Sequence, residues 1–229
     1  TRPVAPDSGT GAATRVPPFS TAPLAGGLPA GWRNHVVRRD LPPTRFEPVQ
    51  RDGRVVMHAR ADASTAGLRC DVDLDPHRTP WLSWEWQVDQ VPLDATVADD
   101  DLDDSPARLV LGFDGDMSSL SLRDQLFNEQ VELFTGNVLP YATLAYVWDG
   151  KATPMSVFRY PRSSRIRYLV VESGATNTGR WLGYRRNVLD DYRRVFGAEP
   201  GRIRSVGVLS DSDDLKHRSQ TWFADIVIG

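Results

Sequence analysis

The sequence WLSWEWQV, residues 81–88, indicates the type of fold because its apolar side chains recur with a period of two. Every second side chain from Leu82 onward is apolar, whereas Ser83, Glu85 and Gln87 occupy the alternate positions. This alternation is typical of a β-strand with one fully apolar face. Glu85 stands in mid-strand on the other face, where a carboxylate is costly to bury unless it is paired. The stretch therefore predicts a sheet-built domain and marks Glu85 as a candidate site residue.

Similar short segments, separated by polar turns, recur along the rest of the chain. A spacing of three and four between residues 118 and 136 predicts one helix, and a second helix over 187–196 is stopped by Gly197. The pattern favours an all-β fold, an antiparallel β-sandwich or jelly roll with one or two short helices. Strands are predicted at 34–38, 45–50, 54–60, 67–74, 80–88, 107–113, 143–148, 155–160, 166–172, 203–210 and 221–228.

Composition excludes several classes of protein. The net charge of −3 argues against binding nucleic acid. No apolar run approaches the roughly 20 residues of a membrane span. Cys70 is the only cysteine, which excludes an internal disulfide, and its place among alternating apolar residues predicts burial rather than nucleophilic chemistry.

The N-terminal segment differs in composition from the rest. Residues 1–18 are rich in Pro, Gly, Ala, Thr and Ser, which predicts a flexible leader ahead of a single β-sandwich domain over 19–229. Such leaders often follow a removed signal segment, so we expect a periplasmic or secreted protein.

An ordered set of motifs resembles one bacterial family, that of domain of unknown function 3047. The resemblance covers nearly everything from Phe19 to Gly229 and implies no activity. The motifs are Trp84-Glu85-Trp86-Gln87-Val88, Asp103-Asp104 with Ala107-Arg108, Tyr146-Val147-Trp148, Arg185-Arg186-Asn187-Val188, Asp190-Asp191-Tyr192, Phe196-Gly197, Ser210-Asp211-Ser212-Asp213 and Trp222-Phe223-Ala224-Asp225-Ile226.

A looser resemblance is to carbohydrate-binding-module-like and galactose-binding-like jelly rolls. Those modules often open with a Leu-Pro-x-Gly-Trp turn, as residues 28–32 do here, and close on a strand with a central Asp, the position of Asp225. The resemblance implies a carbohydrate ligand and a structural Ca²⁺ near Asp225. Two oxygen-rich segments, the acidic loop over residues 99–104 and the turn over residues 211–214, are further candidates for Ca²⁺, because hard cations prefer carboxylate ligands. The predicted metal set is Asp211, Asp213 and Asp225.

Three charged residues interrupt apolar strands on the side away from the core. Glu85, Arg108 and Glu172 would form a polar pocket for a sugar or small acid if neighbouring strands brought them together, because arginine can bridge carboxylates through charge-assisted, bidentate hydrogen bonds. The alternative is an ordinary solvated sheet face with cross-strand ion pairs. A sharper hypothesis makes Glu85 and Glu172 the paired carboxylates of a glycan-cleaving site.

Aromatic and basic residues near the second helix extend the predicted ligand site. Trp148, Trp181 and Arg185 are candidate ligand contacts, because an aromatic ring suits the CH face of a sugar and arginine suits a polar group. Residues 180–187 are predicted to form a loop. The alternative role for this loop is structural, with Asn187 capping the helix, Trp181 covering a core edge, and Arg185 and Arg186 paired with Asp190 or Asp191.

Scattered histidines and the lack of phosphate-binding glycine motifs give no sign of zinc, serine-hydrolase or nucleotide chemistry. The sequence thus favours an exported, non-catalytic module that binds carbohydrate or another small polar ligand on one sheet face and adjoining loops. The alternatives are a glycan-active enzyme using Glu85 and Glu172 and a structural envelope protein without a small ligand.

Overall fold

The structure is a computed structural model that describes residues 13–229. Two sheets of mainly antiparallel strands pack face to face. The helices are α1 (Leu122–Thr135) and α2 (Val188–Phe196). The strands are β1 (Trp32–His35), β2 (Arg45–Arg51), β3 (Arg54–Asp62), β4 (Thr65–Leu74), β5 (Trp81–Val88), β6 (Arg108–Phe113), β7 (Ala142–Asp149), β8 (Val157–Arg159), β9 (Ile166–Ser173), β10 (Leu182–Asn187), β11 (Ile203–Asp211), β12 (Arg218–Phe223) and β13 (Val227–Ile228).

One sheet has seven strands in the order β1-β4-β11-β6-β7-β9-β8, and the other has the order β10-β5-β12-β3-β2, with β13 also pairing β5. The β7–β9 pair is parallel, and the pairs on either side of it in the larger sheet are antiparallel. The predicted β-sandwich with two helices is therefore confirmed.

Two details of the strand prediction are wrong. The loop predicted over residues 180–187 is wrong, because residues 182–187 form β10, an edge strand that pairs with residues 81–86 of β5. Its exposed Gly183 and Arg185 interrupt the apolar pattern, as is common in edge strands, which use charge to avoid pairing with other chains. The predicted strand 221–228 is broken between β12 and β13 at residues 224–226.

The core lies between the two sheets and is rich in aromatic rings. Trp84 and Trp86 point inward from β5, as the alternation predicts, and Tyr146 and Trp148 face them from β7. All four are at least 98% buried. Cys70 is also in this core, where burial raises the pKa of its thiol to about 12, so it is an inert packing residue as predicted.

The end of the predicted leader lies against the sandwich. Ala13 forms a bridge with Val72, Val16 is buried in the core, and the Trp32 indole donates a hydrogen bond to the Pro17 carbonyl at 2.8 Å. Residues 1–12 lie outside the described residues, so the prediction of a flexible leader is not tested there.

Both helices lie where the sequence predicts them, and each ends at a glycine. Ser121 caps α1 and Asn187 caps α2, whereas Gly136 and Gly197 end them in the left-handed conformation. The carboxylate of Asp124 fastens α1 to the turn after β8, because it accepts hydrogen bonds from the Ser163 hydroxyl at 2.9 Å and the Ser164 amide at 2.8 Å. Within residues 13–229, neither helix has the length and apolarity to cross a membrane.

Candidate functional site

A cleft of about 660 Å³ lies on the outer face of the seven-stranded sheet, the face turned away from the core. Its floor comes from β6, β7, β9 and β11, and one wall is the side of α1 that carries Phe127, Gln130 and Phe134. The loops around residues 36–38, 100–103 and 211–214 close its other sides. Its size is typical of a site for a small ligand.

Arg108 lies in the floor of this cleft and is 94% buried. Strand alternation places it there, because its neighbours Ala107 and Leu109 point into the core. One terminal nitrogen donates to the Asp103 carboxylate at 2.8 Å, to the Asp103 carbonyl at 2.9 Å and to the Asp211 carboxylate at 3.3 Å. Among residues 13–229, its Nε has no acceptor.

Asp103, Asp211 and Tyr168 surround the guanidinium. The Tyr168 hydroxyl donates to Asp103 at 3.3 Å, and its ring lies 5.4 Å from the guanidinium carbon. Burial raises the pKa of Asp103 and, more strongly, that of Asp211, although the charge of Arg108 opposes both increases. Burial also opposes the charge of Arg108, but the nearby carboxylates outweigh this effect and its pKa is raised.

An acidic cluster, consisting of Asp104, Asp211 and Asp213, continues from the cleft floor. One carboxylate oxygen from each lies within 4.8 Å of the others. Asp104 accepts hydrogen bonds from two backbone amides, those of Asp214 at 3.0 Å and Leu215 at 2.6 Å. Burial, together with the charges of Asp213, Asp104 and Asp103, raises the pKa of Asp214 to about 6.

The predicted metal set is only partly brought together. Asp211 and Asp213 are neighbours, but Asp225 lies elsewhere, where its carboxylate accepts hydrogen bonds from the Ser20 amide at 2.8 Å and hydroxyl at 2.6 Å. Asp104 takes the third position instead. Asp104 is the last residue of the acidic loop, and the sequence alone could not predict that it lies close to Asp211.

The structure does not bring Glu85, Arg108 and Glu172 together. Glu85 lies on the outer face of the six-stranded sheet, in an ion pair with Arg54, whereas Arg108 belongs to the other sheet. Glu172 accepts hydrogen bonds from the Tyr184 hydroxyl at 3.1 Å and the Asn177 amide at 3.3 Å. The predicted shared pocket is therefore wrong.

A β-bulge explains why the alternation fails at Glu172. Val147 pairs with Val170, but the next residue, Trp148, pairs with Glu172, so β9 has one extra residue at this point. Such an insertion reverses the side on which the following side chain points. Glu172 contacts Tyr184, whose ring stacks on the core residue Trp84. Glu85 points away from that core, so the two carboxylates do not form a catalytic pair.

Trp148 is fully buried, with its indole nitrogen donating to the Gly174 carbonyl at 3.0 Å. It is a core residue rather than a ligand contact, which corrects the prediction. Its burial follows from the alternation of β7, in which Leu144, Tyr146 and Trp148 share the inner face.

Trp181 and Arg185 lie on the outer face of the six-stranded sheet, as Glu85 does. The Trp181 indole donates to Asp52 at 2.8 Å, and Arg54 stacks on its ring at 4.4 Å. Arg185 stacks on Trp81 at 3.8 Å. The capping role of Asn187 is confirmed, since its side chain accepts from the Asp190 amide at 3.1 Å.

Comparison with known proteins identifies a family. The family model described as "Protein of unknown function (DUF3047)" matches residues 30–227. A search of curated protein sequences gave no significant match.

Several solved structures are similar to this chain at low sequence identity. The xyloglucanase domain of NopAA from Sinorhizobium fredii is 11% identical with a TM-score of 0.49, and 91% of this chain and 96% of that one align. The family 11 carbohydrate-binding module of Clostridium thermocellum is 9% identical with a TM-score of 0.44, covering 95% of both chains. The family 12 xyloglucanase from Bacillus licheniformis is 5% identical with a TM-score of 0.47, covering 96% and 97%. At these scores the similarities carry no argument about the site.

Proposed function

The chain belongs to the DUF3047 family, and we propose that it binds a carbohydrate or a similar neutral polar ligand in the cleft above Arg108. The observation that carries the proposal is the 94% buried guanidinium of Arg108 in the floor of a cleft of suitable size, because it makes all its hydrogen bonds to residues 13–229 through one terminal nitrogen. Donors without acceptors are costly to bury, so a ligand oxygen that accepts from the other terminal nitrogen would stabilise the complex.

The other groups around the cleft suit a sugar. The carboxylates of Asp103 and Asp211 can accept hydrogen bonds from hydroxyl groups, and arginine can donate to them. Phe127, Phe134 and Tyr160 also line the cleft and offer apolar ring surface to the CH groups of a sugar. Donors, acceptors and aromatic rings together are what a polyol requires.

The charge of the cleft favours a neutral ligand over an anion. Its lining includes six aspartates and only three arginines, which are Arg38, Arg108 and Arg162. The excess of carboxylates would repel a small organic acid, whereas a neutral sugar carries no such penalty. The proposal therefore narrows the expected ligand to carbohydrate rather than a small acid.

We propose that the protein binds its ligand without catalysing a reaction. The glycan-active alternative depended on Glu85 and Glu172, which lie on different faces and are each paired with other side chains. The expected location, outside the cytoplasm, rests on the composition of the leader and stays part of the proposal.

A glycan array followed by calorimetry with the strongest glycan tests the proposed site. Phe134→Ala removes an exposed ring that lines the cleft, and Leu133→Ala is a matched control on the same helix, exposed but not in the lining. We expect Phe134→Ala to weaken binding about tenfold, which corresponds to about 1.4 kcal/mol, and Leu133→Ala to leave it unchanged.

Trp181→Ala distinguishes the two sheet faces in the same experiment. Binding that survives Phe134→Ala but is lost in Trp181→Ala would move the site to the six-stranded sheet. Hydrolysis of the bound glycan would favour the enzyme alternative, and the absence of binding to any glycan on the array would favour a structural role.

A further inference from the structure

The acidic cluster of Asp104, Asp211 and Asp213 joins two distant parts of the chain. Asp211 is the last residue of β11 and Asp213 follows in the next turn, whereas Asp104 ends the acidic loop before β6. The Asp211 amide donates to the Ser105 carbonyl at 3.1 Å, which holds the two segments side by side. The proximity of the three carboxylates is thus fixed by backbone pairing.

The positive charge near this cluster does not balance its carboxylates. Arg38 reaches Asp213 at 3.0 Å, and Arg108 reaches Asp211 at 3.3 Å. The His217 ring lies 3.4 Å from Asp104 but carries a charge only when it is protonated. Arg108 is shared with Asp103, so its charge is already divided between two carboxylates. Three carboxylates this close repel one another strongly in a partly buried site, unless a further positive charge lies between them.

Asp211 provides a separate observation that points to a ligand. The residue is 92% buried, and its Oδ1 accepts no hydrogen bond from any of residues 13–229. The neighbouring carboxylate of Asp213 offers no donor when it is ionised. Leaving a buried carboxylate oxygen unpaired is costly, because it has lost water without gaining a partner.

We propose that Asp104, Asp211 and Asp213 bind a hard divalent cation, and that this cation is Ca²⁺. A cation would contact the unpaired Asp211 oxygen and relieve the repulsion among the three carboxylates. Calcium accepts irregular arrangements of oxygen ligands completed by water, whereas magnesium requires nearly ideal octahedral geometry. Ligands from a loop, a strand end and a turn, already in contact with two arginines, suit the more tolerant ion.

The test compares thermal unfolding and calorimetry of the chelator-treated whole chain with and without CaCl₂. We expect Ca²⁺ at a hundredfold excess over its dissociation constant to raise the melting temperature by roughly 5–10 °C. Asp213→Asn should abolish the increase and the heat of binding. Asp225→Asn, the matched control, should retain both, because Asp225 contacts Ser20 rather than the acidic cluster.

Arg38→Gln gives a second variant that does not remove a ligand. The Arg38 side chain is 47% exposed, so the variant should fold, and the loss of a competing positive charge from Asp213 should tighten Ca²⁺ binding severalfold. A calcium effect that survives Asp213→Asn, or no effect of either Ca²⁺ or Mg²⁺, would overturn the site. An effect of Mg²⁺ without one of Ca²⁺ would overturn the choice of calcium.

Discussion

The outer faces of the two sheets both carry charged and aromatic residues, but these residues differ in burial and in whether their polar atoms have partners. On the seven-stranded sheet, Arg108 and Asp211 are each more than 90% buried, and each has a polar atom without a partner among the described residues. On the six-stranded sheet, Glu85 is paired with Arg54, and Arg185 stacks on Trp81, all in half-exposed positions. A ligand would complete contacts on the first face but would have to replace existing ones on the second.

This contrast shows that charged residues on a sheet face do not by themselves indicate a binding site. Part of the chemistry expected from the sequence lies on the six-stranded face, where Glu85, Trp181 and Arg185 already satisfy one another or their neighbours. Exposed pairs of this kind contribute little free energy because water competes for them. Burial without complete pairing, as at Arg108, is the stronger sign of a binding site.

Replacing Arg108 should have the largest effect on stability. Arg108→Met leaves the buried carboxylates of Asp103 and Asp211 without their cation, and we expect the free energy of unfolding to fall by about 3–5 kcal/mol. Arg54→Met is the matched change on the other face. Since Arg54 is 40% exposed and Glu85 43%, it should cost at most about 1 kcal/mol.

Urea unfolding followed by tryptophan fluorescence measures both variants. Equal losses of unfolding free energy would mean that burial does not distinguish the two faces, and the contrast between them would be lost.

Asp124→Ala should have the next largest effect, because this buried carboxylate fastens the α1 wall of the cleft. The change removes the acceptor for Ser163 and Ser164, and we expect a loss of about 2–3 kcal/mol. Asp116→Ala is a control, since Asp116 is exposed and its carboxylate accepts hydrogen bonds from the amide and hydroxyl of nearby Ser118. Hydrogen exchange should show faster exchange across 122–135 in Asp124→Ala alone. Unchanged exchange there would contradict the fastening role.

His35, which lines the cleft beside β4, should make stability depend on pH. Burial, reinforced by the charges of Arg69 and Arg33, lowers the pKa of His35 from 6.5 to about 4. The folded protein therefore binds a proton less readily than the unfolded chain. The contribution is fully present above pH 6.5 and is lost as the pH falls towards 4, by on the order of 2 kcal/mol.

His35→Gln removes this titration without adding charge. Unfolding free energies measured across this pH range should fall less steeply in the variant than in the parent protein. Parallel curves for the two proteins would contradict the assigned cause.

Arg185→Ala should have the smallest effect of the series. Arg185 is exposed and contacts the ring of Trp81, so its loss should cost about 0.5–1 kcal/mol. The same variant should bind the glycan as the parent does. A tenfold loss of glycan affinity would show that the six-stranded face takes part in binding.

Local patterns predicted most of the architecture because strand alternation and helix caps act over a few residues. The alternate apolar residues from Leu82 to Val88 point into the core as expected, and Asn187 caps its helix. The pattern failed at Glu172, because one bulged residue reversed the face, and at β10, because an edge strand does not need an apolar pattern.

The candidate site was less predictable because its partners are distant in sequence. Arg108 was recognised as unusual, but its contact with Asp211 spans 103 positions and depends on the pairing of β6 with β11. Tyr168 was missed, although it shares the outer face of its strand with Val170. Asp104 was visible only as one of several aspartates in an acidic loop.

Nuclear magnetic resonance of the arginine Nε–H groups can show whether a ligand binds in the cleft above Arg108. Burial should protect the Arg108 Nε–H from exchange with water, so its signal should be observable and can be assigned with Arg108→Lys. We expect the best glycan from the array to shift this signal and to leave those of Arg54 and Arg185 unchanged. A shift of Arg54, Arg185 or the Trp181 indole, with no change at Arg108, would contradict this expectation.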